Sequence, residues 1–323
     1  MSDENLLDSS RTPQFASTNA EKNDGVVYGQ LEDIAGPNTS NEEFVRNLLA
    51  TPKEKLIPWE DCTLPSKGLY YGWTHGTIQV RAMSQMAEKV LATQRLAQSG
   101  QSIDYLFKEC CNFPEGFDPA MLLVGDRIFL LYYLRGITHG NLYEFQLTCP
   151  NTACGSISTH TYDLNELAST ITFANEDLGP EPFKVVLPYL TKATGREVYV
   201  NLRFIRAADA NGMLAKKKQL KNSSAHSSRQ PKFKSTVTSD DLDNTLNENL
   251  EKVIVDIMGV SDEFAIKQFV DKLHAQDTAA IREWLKDNTP GIDTTIKVTC
   301  PDCENEYSAQ LPISEGFFRP AKR

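Results

Sequence analysis

Four of the seven cysteines in this 323-residue chain occur as two close pairs. The first pair, Cys149 and Cys154, stands in LTCPNTAC at 147–154; the second, Cys300 and Cys303, stands in VTCPDC at 298–303. In each, Thr precedes and Pro follows the first cysteine, an alternating apolar segment leads in and another leads out. That is the strand–knuckle–strand pattern of a zinc ribbon. Short spacings aim two thiolates at one ion, and tetrahedral zinc takes two such pairs. The sequence therefore predicts one structural Zn2+ held by Cys149, Cys154, Cys300 and Cys303. It would be a closed site, since four thiolates leave no position for a catalytic water. The pairs are split: 145 residues lie between Cys154 and Cys300. The fold, not local sequence, must bring them together.

Other readings of the same residues exist. A C-x-x-C can be a redox dithiol, but that motif belongs at a helix start after a strand, and here a strand follows. Two disulfides are disfavoured in a reducing compartment, and unligated thiols are the remaining reading. His160, on the strand after Cys154, is an alternative fourth ligand. Cys62, Cys110 and Cys111 lack paired spacing and read as small buried residues. No P-loop, G-x-G-x-x-G, H-E-x-x-H or G-x-S-x-G is present, and no enzyme is expected. Asp126-Arg127, inside an apolar helix, reads as a structural pair rather than a catalytic dyad. His75 and His139, beside glycines, read as ordinary loop residues.

These residues need elements to carry them, and 40% hydrophobic content is enough for a packed core. The first 45 residues are acidic, polar and poor in large apolar side chains, so they read as a disordered tail able to fold on a partner through residues such as Leu6, Phe15 and Tyr28. Order is expected from Leu56. TLPSKGLYYG (63–72) reads as a turn and an edge strand, Thr77–Met83 as a half-buried strand, and Ser84 as the cap of a helix toward Gly100. A short helix follows Ser102. Asp118-Pro119 opens a long one, apolar almost all round, that reads as the central core helix. Phe183–Leu190 and Glu197–Phe204 read as a hairpin, followed by a helix to about Lys218. The segment 221–237 reads as a flexible basic loop. Helices are expected over Ser239–Met258, Glu263–His274 and Thr278–Asp287, before strands Thr294–Thr299 and Glu306–Leu311. The expected class is α+β: a helical core, short antiparallel strands and a split zinc ribbon. Its divisions are 1–45, 56–220, 221–237 and 238–323, the last packing its cysteines back on the first pair.

Charge narrows the partners. A formal net charge of -10 opposes general binding to phosphate backbones. The basic segment with Lys216, Lys217, Lys218, Lys221, Arg229, Lys232 and Lys234 reads as a solvated helix end and loop, with an acidic partner or nucleic acid as the functional alternative. A zinc-ribbon nucleic-acid-binding protein is the rival function, opposed by Asp302, Glu304 and Glu306 around the second knuckle. No apolar run is long enough to span a membrane. The opening MSDENLLDSS lacks the features of a signal peptide, so a cytosolic setting is expected.

The order of several segments carries a resemblance: LPSKGLY (64–70), IQVRAMS (78–84), GDRIFLLYYLRGITHG (125–140), YEFQLTCPNTAC (143–154) and YDL (162–164). Over residues 56–170 the chain resembles the baseplate hub family of contractile-tailed bacteriophages of the T-even type. The acidic tail, the basic loop and the helices after Asp240 stand apart from that resemblance. It implies a hub subunit or hub-assembly protein of the virion tail baseplate. Such a protein would be assembled in the host cytoplasm, bind other baseplate and tail proteins, and act on no small-molecule substrate.

Overall fold

The computed structural model describes residues 26, 29, 31, 34, 39–91, 101–209, 250–313, 317 and 318. Most of the expected tail, the basic loop and the start of the helix expected from Ser239 lie outside these residues.

Two short helices, α1 (Asn41–Ala50) and α2 (Lys53–Leu56), precede the first strand. Ser40 caps α1 by accepting from Glu43 N–H, so helix begins ahead of Leu56, where order was expected. Strands β1 (Trp59–Thr63) and β2 (Thr77–Arg81) pair antiparallel with Cys62 opposite Ile78. The expected edge strand in 63–72 is instead a 3-10 turn at Leu69–Tyr71, between Gly68 and Gly72, both at φ 70°. Left-handed residues on both sides end a strand before it can start.

Helices α3 (Gln85–Leu91) and α4 (Gln101–Cys110) follow, and β3 (Cys111–Asn112) completes a sheet of order β1-β2-β3. Ser84 Oγ accepts from Ala87 N–H, as a cap should. Asp118 caps only a 3-10 turn, Pro119–Met121. The chain then stays extended, because Leu122 and Val124 pair through backbone hydrogen bonds with Ala207 and Ile205. This pairing overrides the Pro signal. The central helix α5 (Val124–His139) starts after it. Its residues from Phe129 to Ile137 are all buried, as its all-round apolar surface requires.

Strands β4 (Leu142–Thr148) and β5 (Ile157–Asp163) form a hairpin with Phe145 opposite His160. A two-residue strand, β6 (Ile171–Thr172), is followed by β7 (Phe183–Val186), helix α6 (Pro188–Thr194) and β8 (Tyr199–Leu202). The expected hairpin is present as the β7–β8 pairing, but Pro188 turns Leu190 into helix rather than strand. After α7 (Leu250–Val253) the chain forms strand β9 (Ile254–Ile257), not the helix expected to Met258. Val200 stands opposite Ile257, making β8 the middle of a three-stranded sheet. Met258 (φ 52°) and Gly259 (φ 89°) then turn the chain.

Helices α8 (Glu263–Val270) and α9 (Ala275–Asn288) lead to β10 (Gly291–Ile292), which pairs with β6. The hairpin of β11 (Thr295–Thr299) and β12 (Glu306–Gln310) comes last. Thus two sheets join residues before 221 to residues after 237. The fold is α+β, with mixed helices and antiparallel strands. Among the described residues, no helix is long and apolar enough to cross a membrane.

Two apolar cores result. One surrounds α5 and takes in Phe107, Leu130, Tyr143, Leu164 and Leu311. The other lies between the β7-β8-β9 sheet and helices α8 and α9, with Val200, Leu202, Phe204, Ile266 and Ile281. The last described residues, 311–313, 317 and 318, are built into the first core. Tyr132 Oη donates to Leu311 O at 2.6 Å and Tyr143 Oη to Pro312 O at 2.8 Å. Phe317 is fully buried, edge-on to both tyrosine rings.

Candidate metal centre

The β4–β5 and β11–β12 hairpins end in loops built alike. Cys149 N–H donates to Ser156 O at 2.8 Å and closes the first loop; Cys300 N–H donates to Asn305 O at 3.0 Å and closes the second. Each ladder is extended by one pair past its strands. In each loop the residue after the second cysteine is left-handed: Gly155 at φ 59° and Glu304 at φ 54°. Glycine adopts this conformation freely, whereas Glu304 holds it under mild strain. Proline after the first cysteine has no N–H. Every sulfur instead receives the backbone N–H two residues on, from Asn151, Ser156, Asp302 and Asn305 respectively. Four N–H donors aimed at four sulfurs is an arrangement suited to thiolates.

The fold brings the two loops together. Cys149 Sγ lies 3.7 Å from Cys303 Sγ, and Cys154 Sγ lies 3.9 Å from Cys300 Sγ. All four sulfurs lie within 4.8 Å of one another. Disulfide sulfurs sit at about 2.05 Å, so these cysteines are free thiols. An ion with tetrahedral metal–sulfur arms of about 2.3 Å would set its ligands about 3.8 Å apart. The cluster fits such an ion. Its burial is graded: Cys149 and Cys300 are buried, Cys154 is half-buried and Cys303 is exposed.

The Ser156 hydroxyl, 3.2 Å from Cys154 Sγ and 3.4 Å from Cys300 Sγ, lowers both thiols, Cys300 to about 6. Burial pushes Cys149 up to about 12. One readily ionised thiol therefore sits on each hairpin, and a cation between the loops would draw the other two into the charged form.

The remaining sequence candidates fall elsewhere. His160 Nε2 lies 2.7 Å from Ser158 Oγ, outside the sulfur cluster. Cys62, Cys110 and Cys111 are buried in the first core, where desolvation raises all three thiols, Cys110 to about 12. Asp126 and Arg127 do not face each other. Asp126 accepts from Ser66 N–H at 3.0 Å and Tyr71 Oη at 2.6 Å, while Arg127 pairs with Asp104 at 2.6 Å. Each is a tertiary tie. His75 is exposed in its loop. His139 ends α5, and burial lowers it to about 4. Sequence reasoning missed Asn151 and Ser156, whose side chains face the sulfurs. Their only signal is position, two residues after each cysteine of the first pair.

These features define an α+β protein whose distant segments meet at a four-cysteine cluster able to hold a metal ion. The chain belongs to the T4 bacteriophage base plate protein family, whose model matches residues 59–319. The match runs well past residue 170 and includes both cysteine pairs and the helices after Asp240, which therefore belong to the family's span rather than standing apart from it. The chain is thus a structural protein of a phage tail baseplate, with other baseplate proteins as its partners. Searches of characterised proteins and of solved structures found no match to it.

Proposed function

We propose that this chain is a hub subunit of the baseplate, acting by protein–protein binding, and that its four cysteines hold one structural Zn2+ as a staple. The baseplate part rests on the family match over residues 59–319. The staple rests on one observation: four sulfurs within 4.8 Å, supplied by two hairpins 145 residues apart. Zinc suits a closed tetrathiolate site, with iron as the main competitor for that geometry. Neither hairpin has the three strands that stability on its own would need. A shared ion would tie each to the other. With all four positions filled by thiolates, the ion has a mechanical role, and the protein is read as non-enzymatic. The acidic N-terminal 45 residues and the basic segment 221–237 offer charged contacts to neighbouring subunits, during assembly in the host cytoplasm and in the finished virion. Asp302, Glu304 and Glu306 are exposed around the second loop, a surface that opposes nucleic acid.

Two measurements test this reading. Elemental analysis of the purified protein should give about one zinc per chain; iron would change the metal, and no metal would remove the staple. Mass spectrometry of purified particles should find the chain at a fixed copy number. Its absence from particles would make it an assembly factor instead of a hub subunit.

A further inference from the structure

The first cysteine loop is two residues longer between its cysteines than the second, and the extra length has a use. We propose that Asn151 and Ser156 are metal-site residues: outer donors that reach from the first hairpin to the sulfurs of the second and hold them around a divalent, thiophilic ion. This rests on the reading of the cluster as a metal centre.

The geometry is directional. Ser156 Oγ lies 3.4 Å from Cys300 Sγ, and Asn151 Nδ2 lies 4.0 Å from Cys303 Sγ. Both donors belong to the 149–156 loop, and both acceptors to the 300–303 loop. Asn151 is held in place for this contact: its Oδ1 accepts from Ala153 N–H at 3.0 Å, which leaves the Nδ2 group to face the sulfur. Ser156 also lies 3.2 Å from Cys154 Sγ, so its one proton sits astride a pair of sulfurs 3.9 Å apart, one from each hairpin.

In the second loop Asn305 holds the place of Ser156, its carbonyl closing the loop on Cys300 N–H, and Asp302 holds the place of Asn151. Two residues past Cys300 stands Asp302, an exposed carboxylate that would repel thiolates instead of donating to them. A divalent ion with four thiolates carries a net charge of about -2. Asp302, Glu304 and Glu306 add to the negative field. Neutral donors offset that charge without an ion pair, and the longer loop places two of them on its partner's ligands. Ligand partners of this kind are typically worth 10–100-fold in metal affinity.

The test uses the full chain, with zinc affinity from chelator competition and Co2+ as the spectroscopic probe. Ser156→Ala should weaken zinc binding by about 10–100-fold. It should also move the sulfur-to-Co2+ charge-transfer band to lower energy, because a sulfur stripped of a hydrogen bond gives up charge more readily. Ser156→Thr, which keeps the hydroxyl, should restore both. Asn151→Asp, which puts a carboxylate in place of the amide donor, should also weaken binding. Ser156→Ala binding zinc within twofold of wild type with its band unmoved would overturn the proposal, as would Ser156→Thr failing alongside it. If the unaltered protein takes up no metal, the staple and this proposal fall together. If it binds metal and ignores these substitutions, only this proposal falls.

Discussion

The two cores of the molecule bring distant residues together by different means. In the second, β8 and β9 close 51 or more residues of intervening chain through a backbone ladder and a shared apolar cluster that includes Val200, Leu202, Val253 and Ile254. Polar groups there serve as local ties. Asp277 is fully buried and accepts from Tyr189 N–H at 2.8 Å and Leu190 N–H at 3.3 Å, fixing the start of α6 to α9. Glu181 pairs with Arg206 at 2.6 Å. The first core has an apolar centre of the same kind, but at its edge two thin hairpins meet through four sulfurs. A three-stranded sheet backed by helices supports itself by burial, whereas each two-stranded ribbon leans on the first core through side chains such as Phe145 and Val298. The difference marks where the proposed ion would do mechanical work: at the junction of the two cysteine loops.

Removing the proposed ion should be the most damaging way to break that contrast. Structural zinc binding is worth on the order of 10 kcal/mol in small peptides, and part of this appears as folding stability. Cys300→Ser should abolish stoichiometric zinc and expose the cysteine loops to protease while most helical circular dichroism remains. The sequence alone suggests that the whole C-terminal segment from Thr294 would come free. The structure narrows this, because Leu311, Pro312 and Phe317 are anchored on Tyr132 and Tyr143 independently of the sulfurs. Cleavage should therefore fall within residues 299–306 and spare the anchored residues Leu311, Pro312 and Phe317. Cleavage throughout 294–318 would show that the aromatic anchor cannot hold alone.

Phe317→Ala should come next, at about 3–5 kcal/mol for a buried aromatic, with zinc retained. Because the proposed ion and the ring would hold the same segment, combining Phe317→Ala with Cys300→Ser should cost more than the sum of the two. A strictly additive pair would mean the two fastenings do not share a load. Leu202→Ala acts on the other core and should lower stability by about 2–5 kcal/mol, measured by urea unfolding, with zinc content unchanged. Early zinc loss in that variant would show the two cores to be one cooperative unit.

The contrast also explains what could be read from the sequence. The sulfur cluster was legible because thiol chemistry leaves a spacing signature that does not depend on the intervening fold. The central helix was legible because it is apolar all round. Strand β9 was not. Ile254–Ile257 is a short apolar run that fits either period, and its identity depends on β8 lying beside it. The pairing of β6 with β10 spans two residues on each side, too few for any pattern. There Gly125 packs so closely on the 290–291 backbone that an added Cβ would lie 2.0 Å from Pro290 O. The Asp118-Pro119 start signal was real but capped only a single turn, because Leu122 and Val124 had backbone partners waiting at Ala207 and Ile205. Asn151 and Ser156 were hidden for a related reason: their relevance depends on sulfurs 144 or more positions away.

The smallest expected effect lies at the N-terminal end of α5, which borders both cores. Asp126 is fully buried. Burial raises its carboxyl to about 6, against the opposing pull of hydrogen bonds from Ser66 and Tyr71, whereas an unfolded Asp titrates near about 3.9. The folded chain thus holds a proton more tightly than the unfolded one. The stability from this group is fully present below about pH 4 and is lost as pH rises through about 6. Two units correspond to about 3 kcal/mol. Asp126→Asn has no proton to lose and should not show this decline. It keeps one acceptor oxygen in place of two, a fixed penalty that does not vary with pH. Urea unfolding of Asp126→Asn and its parent, both carrying Cys300→Ser so that metal release does not intrude, should be compared at about pH 4, 5.5 and 7. Relative to its parent, Asp126→Asn should gain stability steadily across that range. A constant difference would mean that the carboxyl titrates in its ordinary range, and that its two hydrogen bonds, not its burial, set its charge.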